Sequence, residues 1–314
     1  MLRKWQMEPD TVRDNGGRPP FERQMMLEST ELGRRWTTVS EEWNCPFLPH
    51  GGVVTAITAA AMAAELNTPM QRLRSVTAVF AGPVSPGPAE IDVTVLRRGS
   101  SVSQLAATLT NVGESAGLSA LAVFGARRPG FEFTDLTPPQ APPPAECRSF
   151  RDQVPAVPDR DAQAGGDIHF NFWDHVEGRV VTGHAPGDSY VPVTSERVYW
   201  YRFDEPPLLA DGSLDPLALV TLCDTMPGAV AERMGPSQPA WYPPSIDLTV
   251  HVLGETQSEW VLARNRARHA GSGYASAEIE LWDPEGALLA YGTQMMIFTF
   301  PSGPPPAESR RPPG

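Results

Sequence analysis

Apolar residues recur along this chain with two spacings, and the two spacings alternate. Residues 33–43 (GRRWTTVSEEW) alternate enough to predict a strand. The run HGGVVTAITAAAMAAEL then predicts an Ala-rich helix over residues 51–66. The period of two returns at residues 74–81, 89–97, 101–111 and 118–125, with turn signals at Pro86-Gly87, Gly99-Ser100 and Gly113-Glu114. After a stretch without periodicity, the pattern starts again. Strands are expected at residues 177–183 and 197–203 and a helix at 214–234, followed by strands at 245–253, 259–269, 274–283 and 287–300. A helix followed by four strands, with extended chain ahead of the helix, is thus written twice, the helices being offset by roughly 165 residues and the strands by about 170.

The second helix, LDPLALVTLCDTMPGAVAERM, is apolar nearly all round, so it belongs inside a core, yet it carries Asp224 in its middle. A buried carboxylate must be paired, hydrogen-bonded or protonated. Two readings stay open on the residues alone. In the first, Pro227 breaks the helix near Cys223 and Asp224 simply N-caps the next helical segment. In the second, the acid does chemistry. Gln294 is a second polar oddity, for in ALLAYGTQMMIFTF it shares its alternating face with Leu288, Ala290, Gly292, Met296 and Phe298. Ser245 opens SIDLTVHVL, where strict alternation puts it on one face with Asp247, Thr249 and His251. The first copy is apolar at the matching places, about Ala59 to Ala61 and Ala122-Val123.

Composition narrows the classes. With 314 residues, 41% of them hydrophobic, a large core is available. A net charge of -12 gives no basic field for nucleic acid or an anionic membrane. The N-terminus MLRKWQMEPD lacks an apolar signal region, and the longest apolar run is shorter than the ~20 residues a membrane span needs, so the expectation is a cytoplasmic protein. Cys45, Cys147 and Cys223 form no CxxC pair; neither a disulfide frame nor a metal cage is expected, and no cofactor is called for. The 34 prolines cluster, and they divide the chain into an N-terminal repeat at 21–130, a proline-rich connector without a core element at 131–165, a C-terminal repeat at 166–300 and a disordered tail at 301–314. Residues before about 20 read as a loose leader.

Taken in order, HGGVV, SVTAVFAGPVSPG, VLRRGSS, SIDLTVHVL and RHAGSGYASAEIELWDPEGALLAYGTQ resemble the double hot-dog acyl-CoA thioesterases of the acyl-CoA thioesterase II type. The resemblance covers about residues 33–300. It implies an α+β fold of two tandem hot dogs, each a curved antiparallel sheet wrapped on a central helix, and a lipid-metabolism enzyme that hydrolyses acyl-CoA and pairs into a homo-oligomer. It also implies that an acid on the second helix, a Thr or Ser opening the next strand and a Gln on the last strand activate a water; Asp224, Ser245 and Gln294 stand at those places. Asn44 with His50, Gly51 and Gly52 is similar to the Asn and HGG signature of single hot-dog thioesterases, which implies substrate binding at the helix start, where free N–H groups suit an oxyanion. Phe47 departs from that signature, which often has Gly there. One composite site between HGG and Asp224 is expected, with a degenerate second one.

Three rivals need answers. Gly113-Glu114-Ser115-Ala116-Gly117 matches the G-x-S-x-G of serine esterases, but that elbow needs a helix directly after the Ser, and a strand is expected instead. A hot-dog hydratase would want an acid where Asn44 stands. A non-catalytic acyl-binding or scaffold protein would use Asp224 and Gln294 structurally. Arg264, Arg266 and Arg268 alternate along one strand face and read either as a solvated sheet face or as partners for CoA phosphates.

Overall fold

The computed structural model describes residues 17–31, 33–152, 169–238 and 240–303. The expected leader up to residue 16, the connector beyond residue 152 and the tail from residue 304 lie outside them. In chain order the strands are β1 (Glu28–Glu31), β2 (Arg34–Val39), β3 (Arg72–Phe80), β4 (Gly87–Arg98), β5 (Val102–Asn111), β6 (Leu118–Gly125), β7 (Arg148–Ser149), β8 (Val176–Thr182), β9 (Glu196–Phe203), β10 (Asp247–Val252), β11 (Val261–Gly271), β12 (Tyr274–Trp282) and β13 (Leu288–Ile297). The helices are α1 (Pro20–Gln24), α2 (Gly51–Leu66), α3 (Phe172–His175), α4 (Pro216–Cys223) and α5 (Pro227–Met234).

The described strands form one 13-stranded antiparallel sheet in the order β1-β2-β4-β5-β6-β3-β10-β13-β12-β11-β9-β8-β7. The order β2-β4-β5-β6-β3 of the first repeat is matched by β9-β11-β12-β13-β10 of the second, read from the opposite edge. The repeats therefore meet through the equivalent strands β3 and β10. There Val76 faces Val250 and Thr77 faces Thr249, whose hydroxyl donates to that of Thr77 at 3.1 Å. Inward residues of both halves, including Val76, Leu109, Val250 and Ile279, close over α2 and α4 in one continuous core. Both helices are apolar on every side because each is covered by sheet and by its sister.

The periodic elements lie within a few residues of their expected bounds, and α2 matches its own to the residue. The elements α1, β1, β7 and α3 are too short to show a period and have no counterpart among those expected. The helix expected over 214–234 is two helices, α4 and α5. Proline-rich residues 126–147 hold no strand, but the expectation that they lie outside any core is corrected. Leu136, Ala141 and Cys147 pack on the outer face of the second repeat against Val198, Trp200, Leu262 and Trp282. Proline removes N–H donors but leaves carbonyls free to accept. Trp200 Nε1 donates to Pro142 O at 2.9 Å, Arg264 to Thr137 O at 3.0 Å and Arg179 to Pro144 O at 2.9 Å, tying the strap down. Beneath it Arg264 and Arg266 pair with Glu280, which is 0% exposed, while Arg266 and Arg268 pair with Glu278. Arg264 and Arg266 are thereby held by the strap and their own sheet, whereas Arg268 stays half exposed.

Ser115 sits exposed in the β5–β6 turn, and a strand comes after it, so the esterase elbow is absent at this motif.

Candidate active site

α4 begins with Asp215, whose side chain caps Leu217 N at 2.8 Å, and with Pro216 in the first turn, where a missing N–H costs nothing. It ends at Cys223 because Pro227 has no N–H to give to the Cys223 carbonyl four residues earlier. The chain leaves helical geometry at Asp224 (φ -82°, ψ 21°) and resumes at Pro227, capped at Met226 by no side chain. The capping reading of Asp224 is therefore half right. The helix does break, but the carboxylate does not cap α5. It reaches the sister helix instead, and Gly52 N–H at the start of α2 donates to Asp224 Oδ2 at 2.8 Å.

The rest of the cluster closes round the other oxygen. Gln294 Nε2 donates to Asp224 Oδ1 and, at 2.5 Å, to Ser245 Oγ; Ser245 Oγ donates to Asp224 Oδ1 at 3.2 Å. Asp224 is 6% exposed, so three donors and the positive end of α2 take the place of water round its charge. Gln294 Oε1 has no hydrogen-bond partner among the described residues.

Ser245 reaches this cluster against strict alternation. In β10 Thr249 faces Thr293 of β13, and continuing that register would set Ser245 opposite Ile297. Ser245 instead bridges Met296. A one-residue register shift moves a side chain to the other face, so Ser245 leaves the outer row of Asp247, Thr249 and His251 and turns inward.

The HGG residues lie directly beneath. His50 is the N-cap of α2, buried, stacked on Phe172 (ring centroids 4.1 Å apart, 9° between planes), with Nδ1 3.6 Å from Asp224 Oδ2. Burial pushes its pKa below the ordinary 6.5, against the pull of Asp224, so it is neutral at pH 7. A neutral folded-state imidazole costs stability only where the unfolded chain takes up a proton. Stability is therefore whole above about pH 6.5 and falls as the pH drops below it, by at most ~1.4 kcal/mol per pH unit from this group. Chemical denaturation between pH 7 and pH 5 is expected to show a shallower slope for His50→Gln than for the parent; equal slopes would contradict this assignment.

Gly51 and Gly52 let the helices touch. A Cβ on Gly52 would stand 2.5 Å from Thr221 O, and one on Gly51 2.8 Å from Asp224 Oδ2 and 2.9 Å from Phe80 Cζ. Asn44 ends the short turn Glu41–Trp43; its carbonyl accepts from Phe172 N at 3.3 Å, and its buried Oδ1 has no partner among the described residues. Burial and the nearby Asp224 push the Cys45 and Cys223 thiols far up, so neither supplies a thiolate. Sequence reasoning missed Phe80 and Phe172; the aromatic cluster NFWDH was the only sign of the latter.

The sheet register also identifies the degenerate counterpart. Leu121 faces Thr77 as Thr293 faces Thr249, so Ala122 answers to Gln294 and Leu73 to Ser245. Both are buried and apolar, as is Ala59 on α2.

A single sheet closed over paired helices, with a buried acid at their crossing, defines a double hot-dog protein. Residues 39–125 match the acyl-CoA thioesterase N-terminal domain and residues 151–298 the acyl-CoA thioesterase C-terminal domain. The chain belongs to the double hot-dog acyl-CoA thioesterase family and is an acyl-CoA thioesterase. Among solved structures, it is similar to a hot-dog protein of unknown function from Alicyclobacillus acidocaldarius, at 25% identity over 90% of this chain and 98% of that one, with a TM-score of 0.72. An acyl-CoA thioesterase II from Mycobacterium marinum shares the fold at 20% identity, over 90% and 100% of the two chains, with a TM-score of 0.67. A putative thioesterase from Novosphingobium aromaticivorans does so at 21% identity, over 86% and 97%, with a TM-score of 0.69. A comparison with curated proteins finds no match. No helix among the described residues is long and apolar enough to cross a membrane.

Proposed function

We propose that this thioesterase hydrolyses acyl-CoA to free acid and CoA at one composite site, with Asp224 as the base that activates water. The observation that carries the reading is the convergence of Gln294 Nε2, Ser245 Oγ and Gly52 N–H on a single buried carboxylate. Asp224 takes a proton from water as the water oxygen bonds to the thioester carbon. Collapse of the tetrahedral adduct breaks the C–S bond, and the CoA sulfur leaves with the proton that Asp224 took from water, which restores the carboxylate. Gln294 and Ser245 are positioning residues, holding the carboxylate from the strand side.

Division of labour between the repeats comes from the same contacts. The start of α2 supplies backbone N–H groups for the developing oxyanion. Because Gly52 N–H already serves Asp224, that role falls to Gly51 N–H, for which no bond is formed among the described residues. Neutral His50 and Asn44 line this side and do not act as bases.

The test is release of free thiol from a panel of acyl-CoAs, monitored with a thiol reagent. Turnover that survives Ser115→Ala and is lost in Asp224→Asn is expected. Saturable acyl-CoA binding without turnover would favour the scaffold reading, and loss of activity in Ser115→Ala would favour a serine esterase.

A further inference from the structure

Phe80 ends β3 beside the candidate site and has no part in the chemistry above. Alternation sets it on the inward row behind Val76 and Ala78, and its ring is half-buried against the core. The backbone around it is pinned on both sides. Phe80 N–H donates to Ile246 O at 3.1 Å, one residue after Ser245, and Ala81 N–H donates to Gly117 O at 2.8 Å. The ring itself is turned towards the start of α2. The point at which a Cβ on Gly51 would stand lies 2.9 Å from Phe80 Cζ, 3.2 Å from Phe80 Cε1 and 2.8 Å from Asp224 Oδ2. Because Cζ and Oδ2 stand 2.9 Å and 2.8 Å from this one point, they are at most 5.7 Å from each other. The missing side chain of Gly51 is thus what lets an apolar ring and the buried carboxylate share one face of the same residue.

We propose that Phe80 is the acyl-side wall of the thioester seat, and that it sets the room at the carbon next to the carbonyl so that unbranched acyl groups are preferred. The inference rests on the reading in which Asp224 activates water and Gly51 N–H holds the carbonyl. A hydrogen bond spans about 3 Å, and an attacking water stands about 3–3.5 Å from the carbon it attacks. The reacting carbon therefore lies within roughly 6 Å of Asp224 Oδ2, which is the range at which Phe80 Cζ is found. Its carbonyl oxygen is held on Gly51, the residue the ring already touches. Heavy atoms in contact lie about 4 Å apart, so these limits leave no room for a further residue between ring and thioester. Of the two limbs on the carbonyl carbon, the acyl limb is the one that a ring packed on the core accepts, whereas the phosphates of the CoA limb stay in water. A methyl branch on the first acyl carbon then meets the Phe80 ring, and the strand behind the ring is bonded to both neighbours and cannot retreat. Phe80 is a specificity residue and takes no part in proton transfer.

The experiment measures kcat/KM for two acyl-CoAs of equal carbon number, one straight and one methyl-branched next to the carbonyl, with the parent, Phe80→Leu and Phe80→Trp. Leucine keeps the wall apolar but reaches less far than the ring, and tryptophan reaches further. Melting followed by circular dichroism establishes that each variant is folded; where Phe80→Trp is not, Phe80→Leu decides alone. The expected result is a straight-to-branched ratio above about ten in the parent, since one methyl group in apolar contact is worth about 10–200-fold. The ratio should fall at least tenfold in Phe80→Leu and rise above the parent's in Phe80→Trp. A merely structural role for Phe80 would scale both substrates alike. A parent that releases thiol without this preference, or a folded Phe80→Leu that keeps the parent's ratio, overturns the wall and leaves the hydrolytic reading standing. If the parent releases thiol from neither substrate, nor from any other acyl-CoA, the hydrolytic reading fails first and takes the wall with it.

Discussion

Asp224→Asn is expected to lower thiol release from acyl-CoA by about 10²–10⁴-fold, the usual contribution of a positioned general base. The substitution keeps the shape of the side chain and removes its basicity. It also tests the hydrogen-bond arrangement, since the carboxylate accepts on both oxygens: Gly52 N–H on one, Gln294 and Ser245 on the other. An amide can accept on only one side. Its NH₂ must therefore face either Gly52 N–H or the Gln294 amide, leaving a buried donor unpaired at a cost of about 1–3 kcal/mol. A melting temperature a few degrees lower, in a protein that still folds, should accompany the loss of rate. An unaltered rate would remove Asp224 from the chemistry whatever the melting curve shows. A single turnover in heavy-oxygen water then separates a base from a nucleophile. Label appears directly in the released acid if Asp224 only deprotonates water, whereas an anhydride opened at the Asp224 carbonyl leaves label in the protein.

The contrast between what the residues disclose in advance and what they withhold tracks the range of the interactions. Alternation along a strand is a local property, so the strands of both repeats are legible from apolar spacing. The bounds of α2 are legible because glycines open it and Asn67, in the left-handed conformation (φ 47°), closes it. Pro227 signals a break in the second helix, yet the destination of the Asp224 side chain depends on a contact with Gly52 in the other repeat, which no window along the chain contains. Ser245 is sharper still. Strict alternation puts it on the outer face, and only the shifted pairing with Met296 turns it towards Gln294. The Leu136 to Cys147 strap reads as empty connector because proline erases periodicity, although it does not prevent packing. What the resemblance to thioesterases adds is the expectation that these scattered polar residues belong together. The geometry places them within hydrogen-bonding distance of one another.

Gly52→Ala is expected to damage both the fold and the activity although it adds a single methyl group. At an ordinary N-terminal helix position, Gly to Ala stabilises by about 0.4–1 kcal/mol, because alanine restricts the unfolded chain. Here the added Cβ would lie 2.5 Å from Thr221 O, 2.9 Å from Thr221 Cα and 2.9 Å from Asp224 Cβ. Two of these three atoms belong to the α4 backbone, so no side-chain rotation relieves them, and the helices must move apart. Overpacking of this kind costs about 1–3 kcal/mol, more where the backbone cannot give. Separation of α2 from α4 also lengthens the Gly52 N–H bond to Asp224 and draws the carboxylate away from any carbonyl held at the start of α2. Urea denaturation should show a lower midpoint with the slope unchanged, and thiol release should fall even at temperatures where the variant is fully folded. Gly113, on the exposed β5–β6 turn, provides the control: nothing stands within 4 Å of its Cβ position, but its φ of +89° strains any side chain. Gly113→Ala should therefore lose stability while keeping kcat. If Gly52→Ala instead behaves like Gly113→Ala, destabilised but with kcat intact, then the crossing of the two helices supports the fold without setting the geometry at Asp224.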